Sequence, residues 1–178
     1  MAQVCFADSL DLTGELPGDI LLVFMDAEQD PEPEALLLEW QLLGQPDLVT
    51  AAQVPDTGYP VTACYGAIHR TFDYPEDGDL FRDYDQGYAL PVIEGTKIGG
   101  VPRWIQYEPE VLPGRFIAAV GSIQPAYDAA YPWLNVPAPI ETFQALYGEE
   151  QLMWGGDMGS LYLFLNDEGM VHAVVQGY

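Results

Sequence analysis

Two adjacent glycines between two cations are the feature of the sequence best placed to bind an anion. Gly99 and Gly100 lie between Lys97 and Arg103, and glycine-rich loops cradle phosphates in many nucleotide-binding proteins. The segment lacks the Gly-Lys-Ser/Thr of a P-loop and the third glycine of a dinucleotide fingerprint. Because only glycine adopts positive φ without penalty, we predict a tight turn that feeds a strand at 104–107. The two cations would then hold an anionic group or pair with carboxylates.

Carboxylates occupy every second position from Asp26 to Glu34, as at the start of a calcium loop. Pro31 stands where such a loop needs its turning glycine, and Leu37 stands where it needs the bidentate glutamate. The prolines favour an extended, solvated segment instead. The sequence therefore predicts no metal site, and it points to no cofactor.

Cysteine and histidine are too sparse to predict a catalytic centre. Cys64 and His69 have the residue types of a nucleophile and a base, but no cysteine-hydrolase signature surrounds them. We predict that Cys5 and Cys64 are reduced core residues. His172 lies in the apolar run 171–175, which predicts a hydrogen-bonded strand histidine rather than a metal ligand. We assign no catalytic residue.

An acidic and aromatic segment at 72–85 is the strongest candidate for a partner-binding surface. Aromatic rings supply contact area at low entropic cost, and carboxylates steer and orient a basic partner. The alternative is a solvated loop whose aromatic side chains fold back on the core. The predicted partner-binding residues are Phe72, Tyr74, Glu76, Asp77, Asp79, Phe81, Asp83, Tyr84 and Asp85.

The elements that must position these residues are predicted to be mainly strands. Fifteen prolines and eighteen glycines interrupt the chain, and the short pieces between them are rich in β-branched and aromatic residues. Residues 19–26 and 161–165 are apolar on both faces, as in central strands. Further strands are predicted at 3–7, 104–107, 116–120 and 171–176. Residues 34–43 fit a helix or a strand, and residues 140–147 permit one short amphipathic helix.

A weak internal repeat suggests two related halves within a single domain, at about 1–90 and 91–178. Residues 20–28 (ILLVFMDAE) align with 160–168 (SLYLFLNDE), and upstream of them 2–4 (AQV) align with 118–120 (AAV). The predicted fold class is therefore α+β, strand-rich, with mainly antiparallel sheets and few short helices.

Charge excludes several classes of function. The 178 residues carry 28 Asp+Glu against 5 Lys+Arg, a formal net charge of −23. Such a surface would repel a phosphate backbone, so we predict no nucleic-acid binding. The longest apolar run is 20–25, far short of the roughly 20 residues that span a membrane. The sequence also has no cluster of basic residues of the kind that binds a lipid surface. With no signal-peptide pattern, the sequence predicts a cytoplasmic protein.

Several motifs resemble the YwqG-like family, a bacterial domain of unknown function. The most specific is 95–106 (GTKIGGVPRWIQ), followed by 154–165 (WGGDMGSLYLFL) and a last strand that ends in Gln176. At the other end, 2–8 (AQVCFAD) and 16–24 (LPGDILLVF) look like the family's first strands. The resemblance implies a mixed, strand-rich fold of two related halves with no established reaction.

The chain departs from that family at two places. Family members begin with an earlier Gly-Gly-x-Pro segment and a Trp-Pro, so the N-terminal part of the family pattern is expected to be absent here. Gly156 also interrupts the usual Trp-Gly-Asp.

Two functions remain open on the sequence, beside the third possibility of a structural remnant with no ligand. The preferred one is a non-catalytic acidic domain that binds a basic protein partner, in one version an immunity-type protein that neutralises a basic bacterial toxin. The alternative is an enzyme or small-ligand binder with a cleft between the halves. Its predicted ligand-binding residues are Lys97, Arg103, Trp104, Gln106 and Asp157.

Overall fold

The computed structural model describes seven stretches of the chain. They are residues 2–25, 33–45, 65–66, 69–73, 95–122, 134–135 and 159–177. Asp157 and most of the predicted partner-binding segment lie outside these residues, as do Cys64, the predicted helix at 140–147 and most of the acidic run 26–34.

The described residues form antiparallel sheets with little helix, as the sequence predicts. The first sheet has the order β1-β2-β3, the second has the order β5-β6-β8-β9, and β4 pairs with β7. The strands are β1 (Ala2–Cys5), β2 (Ile20–Met25), β3 (Leu36–Gln41), β4 (Tyr65–Gly66), β5 (Lys97–Ile98), β6 (Arg115–Gly121), β7 (Leu134–Asn135), β8 (Ser160–Leu165) and β9 (Val171–Gln176). Within these residues the helical elements are the short helix α1 (Leu10–Thr13) and a 3-10 turn at Pro33–Ala35.

Most of the predicted strands are confirmed. The doubly apolar runs at 19–26 and 161–165 become β2 and β8, each in the middle of its sheet. The ambiguous segment 34–43 contains strand β3, because it pairs with the open side of β2 over its whole length. The predicted strand at 104–107 is wrong, since these residues form an irregular segment that crosses the second sheet.

The two sheets share one hydrophobic core. Side chains from β1 and β2 lie in the same buried cluster as side chains from β6 and β8. Alternation along a strand turns every second residue to this core, which explains why Val4 is buried while Cys5 is exposed. The prediction that Cys5 is a core residue is therefore wrong.

The two sheets share the order and register of three strands. Strands β1-β2-β3 and β6-β8-β9 are both antiparallel, and the aligned sequences of the internal repeat occupy matching positions in them, although β7 lies between β6 and β8 in the chain. The matching pairs are Ala2–Val23 with Ala118–Leu163, Val4–Leu21 with Val120–Leu161, and Ile20–Gln41 with Ser160–Gln176. The weak sequence repeat thus corresponds to a structural repeat, to which the second sheet adds β5.

Candidate functional site

Four of the five predicted ligand-binding residues lie together in one segment at the second sheet. Lys97 is in β5, and Arg103, Trp104 and Gln106 follow the double-glycine turn. Gly99 and Gly100 have φ of 70° and 77°, so the predicted turn is confirmed. Their surroundings decide what these residues can do chemically.

Lys97 forms a nearly buried ion pair with Asp73. Its Nζ lies 2.6 Å from Asp73 Oδ2, and the two side chains are only 11% and 10% exposed. The same carboxylate oxygen accepts a hydrogen bond from the Val101 N–H at 3.1 Å. Burial lowers the pKa of Lys97, the bond to Asp73 opposes that shift, and the charge of Arg103 adds to it. An anionic ligand would therefore compete with Asp73 for this ammonium.

Asp73 also requires the second glycine of the turn. A Cβ added at Gly100 would overlap Asp73 Oδ2, and the positive φ excludes most other residues as well. Gly100 thus makes room for the carboxylate of Asp73, which lies 24 positions before Lys97 in the sequence.

Trp104 belongs to an aromatic cluster on the outer face of the second sheet. Its ring lies 4.8 Å from the Tyr162 ring centroid and stacks on Phe164 at 6.0 Å with an interplanar angle of 9°. Phe116 meets Phe164 edge-on at 5.7 Å. The Tyr162 hydroxyl donates to the Arg103 carbonyl. Offset and edge-on pairs of this kind stabilise a fold beyond the area that they bury.

Gln106 and Gln176 tie the irregular segment to β9. The Gln176 side chain accepts hydrogen bonds from the Ile105 and Gln106 N–H groups at 3.1 and 3.2 Å and donates to the Tyr107 carbonyl at 2.7 Å. In return, Gln106 Nε2 donates to the Gly177 carbonyl at 2.8 Å. Three of these bonds use backbone groups of residues 105–107. Two successive N–H groups point to one side-chain oxygen, whereas the N–H groups of a strand alternate in direction, so the segment is irregular.

The predicted partner-binding segment, 72–85, enters the described residues only at its start. Phe72 is 78% exposed, which fits a contact residue. Asp73 beside it is turned inward to Lys97, a role that the sequence did not indicate because Asp73 resembles the other carboxylates of the segment. The remaining predicted residues, from Tyr74 to Asp85, lie outside the described residues.

Exposed charge in the described residues is strongly acidic. The exposed carboxylates are Asp8, Asp11, Glu15, Glu34, Glu39, Glu108, Glu110, Asp167 and Glu168. The exposed cations both serve internal contacts. Arg115 donates to the Glu15 carbonyl, and Arg70 binds both carboxylate oxygens of Asp11 at 2.7 and 3.1 Å.

The Arg70 clamp fixes α1 to the segment 69–73. A third hydrogen bond from Arg70 reaches the Asp8 carbonyl at 3.0 Å. The hydrogen bond from Arg70 lowers the pKa of Asp11, and the pKa of Arg70 is raised in return. Neither residue was predicted, since their separation of 59 positions leaves no local signal.

The two histidines lie in different environments. His172 lies in β9 and its Nε2 lies 3.2 Å from Asn166 Nδ2, which confirms the predicted hydrogen-bonded strand histidine. His69 is exposed.

Within the described stretches, no group of three or more His, Cys, Asp and Glu side chains is arranged to hold a metal ion. No helix in those stretches is long and apolar enough to cross a membrane.

Comparison of the chain with family models, curated proteins and solved structures gave no match.

Proposed function

We propose that this chain is a non-catalytic binding domain whose acidic surface engages a basic protein partner. One observation carries the proposal: both exposed arginines of the described residues make contacts within the molecule, whereas eight exposed carboxylates besides Asp11 face solvent. The acidic charge of the described residues is therefore presented outward with little local compensation. A field of this kind accelerates encounter with a partner of opposite sign.

Phe72 supplies the apolar part of the proposed surface. A large aromatic side chain that is 78% exposed at the start of an acidic and aromatic segment combines contact area with electrostatic steering. Interfaces often concentrate their binding energy in such aromatic anchors. The other predicted partner-binding residues would extend the surface beyond Phe72.

The specific version of the proposal is an immunity-type protein that covers the active surface of a basic bacterial toxin. The YwqG-like resemblance, which stays a prediction, supplies the bacterial setting. A cytoplasmic location is part of the same proposal, because the chain has only two cysteines and the Cys5 thiol is free.

Small-ligand binding receives no comparable support from the described residues. Lys97, Trp104 and Gln106 are each held by other groups of the protein. We therefore retain the binding-domain proposal alone.

The experiment is affinity capture from the native host followed by titration of the captured protein. We expect a basic protein whose affinity falls when salt rises from about 0.05 M to about 0.5 M, because screening shortens the range of the attraction. Phe72→Ser should weaken binding about tenfold, the size of a moderate hot spot. Tyr107→Ser is the matched control, since Tyr107 is 71% exposed and lies in a different segment. A salt-independent affinity, or equal losses in both variants, would contradict the proposal.

A further inference from the structure

The edge of β1 differs from the matching edge of β6. In the second sheet, β5 pairs with β6 through Lys97–Ala119 and Ile98–Ala118. The matching positions in the first sheet are Gln3 and Ala2. Among the described residues, no strand pairs with that side of β1. A strand edge with unpaired backbone groups is a template for another strand.

The backbone groups at this edge can be identified from the register. Phe6 N–H donates to the Asp19 carbonyl of the neighbouring strand at 2.7 Å, and the hydrogen-bonding direction alternates along an antiparallel strand. The N–H and C=O groups of Gln3 and Cys5 therefore point away from β2. At the matching edge of β6, Gly99 N–H donates to the Ile117 carbonyl at 2.9 Å.

The pairing of β5 with β6 shows which side chains such an edge accepts. Ile98 packs against the shared core, while Lys97 lies on the opposite face. A strand on β1 in the same register would place an apolar side chain opposite Ala2 and a polar side chain opposite Gln3. Glu39 lies on the same face as Gln3, in the row Gln3–Leu22–Glu39, but three strand spacings of about 4.8 Å each would separate it from the added strand. The preference for a cation opposite Gln3 therefore comes from the net charge of the whole chain, −23.

We propose that the outer edge of β1 binds an extended segment of a basic partner protein by antiparallel strand addition. The segment alternates lysine or arginine with apolar residues, and its apolar side chains reach the shared core. Strand addition gives affinity through backbone bonds and selectivity through alternate side chains. The choice of a basic partner rests on the proposed function. A second copy of this chain is the less favourable occupant, because each copy carries a net charge of −23.

The experiment measures amide hydrogen exchange of the isotope-labelled full chain. The probe is a blocked octapeptide that alternates lysine with valine, and the control peptide replaces each lysine with glutamate. We expect the lysine peptide to slow exchange at Gln3 and Cys5 about tenfold or more, because amides that join a ladder are protected. The glutamate peptide should leave both rates unchanged. A lysine peptide N-methylated at its lysines should lose the effect, since those N–H groups would face β1.

Two variants at one position separate the backbone from the side chain. Gln3→Pro removes the outward N–H, whereas Gln3→Ala keeps it. We expect peptide binding to fall about tenfold or more for Gln3→Pro and to change less than about twofold for Gln3→Ala, because only the first loses a ladder bond. Melting temperatures of both variants check the fold, and the N-methylated peptide tests the same bonds without a mutation.

Several outcomes would overturn this inference. The inference fails if the lysine peptide binds without protecting Gln3 and Cys5, or if both peptides protect them equally. Protection that grows with protein concentration in the absence of peptide would identify a second copy as the occupant. If the captured basic partner binds in a salt-dependent manner but leaves these two amides unprotected, strand addition fails while the proposed function stands.

Discussion

Asp73 shows how a single carboxylate can serve the fold inside a segment that otherwise suits binding. It accepts bonds from the Lys97 ammonium and the Val101 N–H and requires a glycine at position 100. Its neighbour Phe72 is exposed. Asp73 therefore stabilises the fold and Phe72 belongs to the proposed binding surface, although the two residues are adjacent in the chain.

Gly100→Ala tests this arrangement at the scale of the residue. The added methyl group must displace Asp73 and leave Lys97 without its partner, which costs about 3 kcal/mol for a buried pair. Gly44→Ala is the control, because Gly44 has φ of 85° with no heavy atom near its would-be Cβ. The left-handed backbone conformation alone should lower the free energy of unfolding of Gly44→Ala, by about 1 kcal/mol.

Denaturant unfolding measures both free energies. Equal losses in Gly100→Ala and Gly44→Ala would mean that backbone strain alone is at work and that Asp73 adapts.

At the scale of elements, the strand triplets β1-β2-β3 and β6-β8-β9 have the same register but different neighbours. Gln41 and Gln176 occupy the same register position in the first and second sheets. Gln176 holds the irregular segment through three hydrogen bonds, whereas Gln41 donates to the exposed Glu39 side chain. The same side chain therefore acts as a tether in one sheet and contributes little in the other.

Substitution of the two glutamines by leucine tests this difference. Gln176→Leu should reduce the free energy of unfolding by about 2 kcal/mol, because it leaves partly buried backbone groups unpaired. Gln41→Leu should change it by less than about 0.5 kcal/mol, as is usual for a surface position.

Amide exchange supplies the second readout for this pair. The Ile105 and Gln106 amides should exchange faster in Gln176→Leu and at the original rate in Gln41→Leu. Similar losses of stability in the two variants would refute the tethering role.

At the scale of the whole molecule, charge opposes folding while it favours an encounter with a basic partner. The net charge of −23 repels itself in the compact state. The ion pairs of the described residues, Arg70–Asp11 and Lys97–Asp73, relieve this repulsion only locally.

The melting temperature should therefore rise with ionic strength. Raising salt from about 0.01 M to about 0.15 M shortens the Debye length from about 30 Å to about 8 Å. A gain of about 1 kcal/mol would correspond to about 3 °C in a domain of this size.

A charge-reversed variant provides the control. Glu110→Lys with Glu168→Lys, at two exposed positions, should show a smaller rise over the same salt range. A melting temperature that falls with salt would indicate that favourable ion pairs outweigh the repulsion.

The sequence by itself determined the central strands, the antiparallel strand-rich class and the double-glycine turn. These features are local, because a run such as 161–165 is apolar on both faces wherever it folds, and positive φ favours glycine in any context. The repeat between 20–28 and 160–168 also anticipated the matching register of the two sheets.

Only the tertiary structure decided the features that depend on distant partners. Residues 104–107 have the composition of a strand, yet Gln176 takes their backbone bonds and Trp104 stacks on Phe164. Cys5 is exposed because the register of β1 turns Val4 to the core instead. Asp73 and Arg70 bind partners that lie 24 and 59 positions away in the sequence. Local sequence patterns cannot predict such contacts, because they form only when the chain folds.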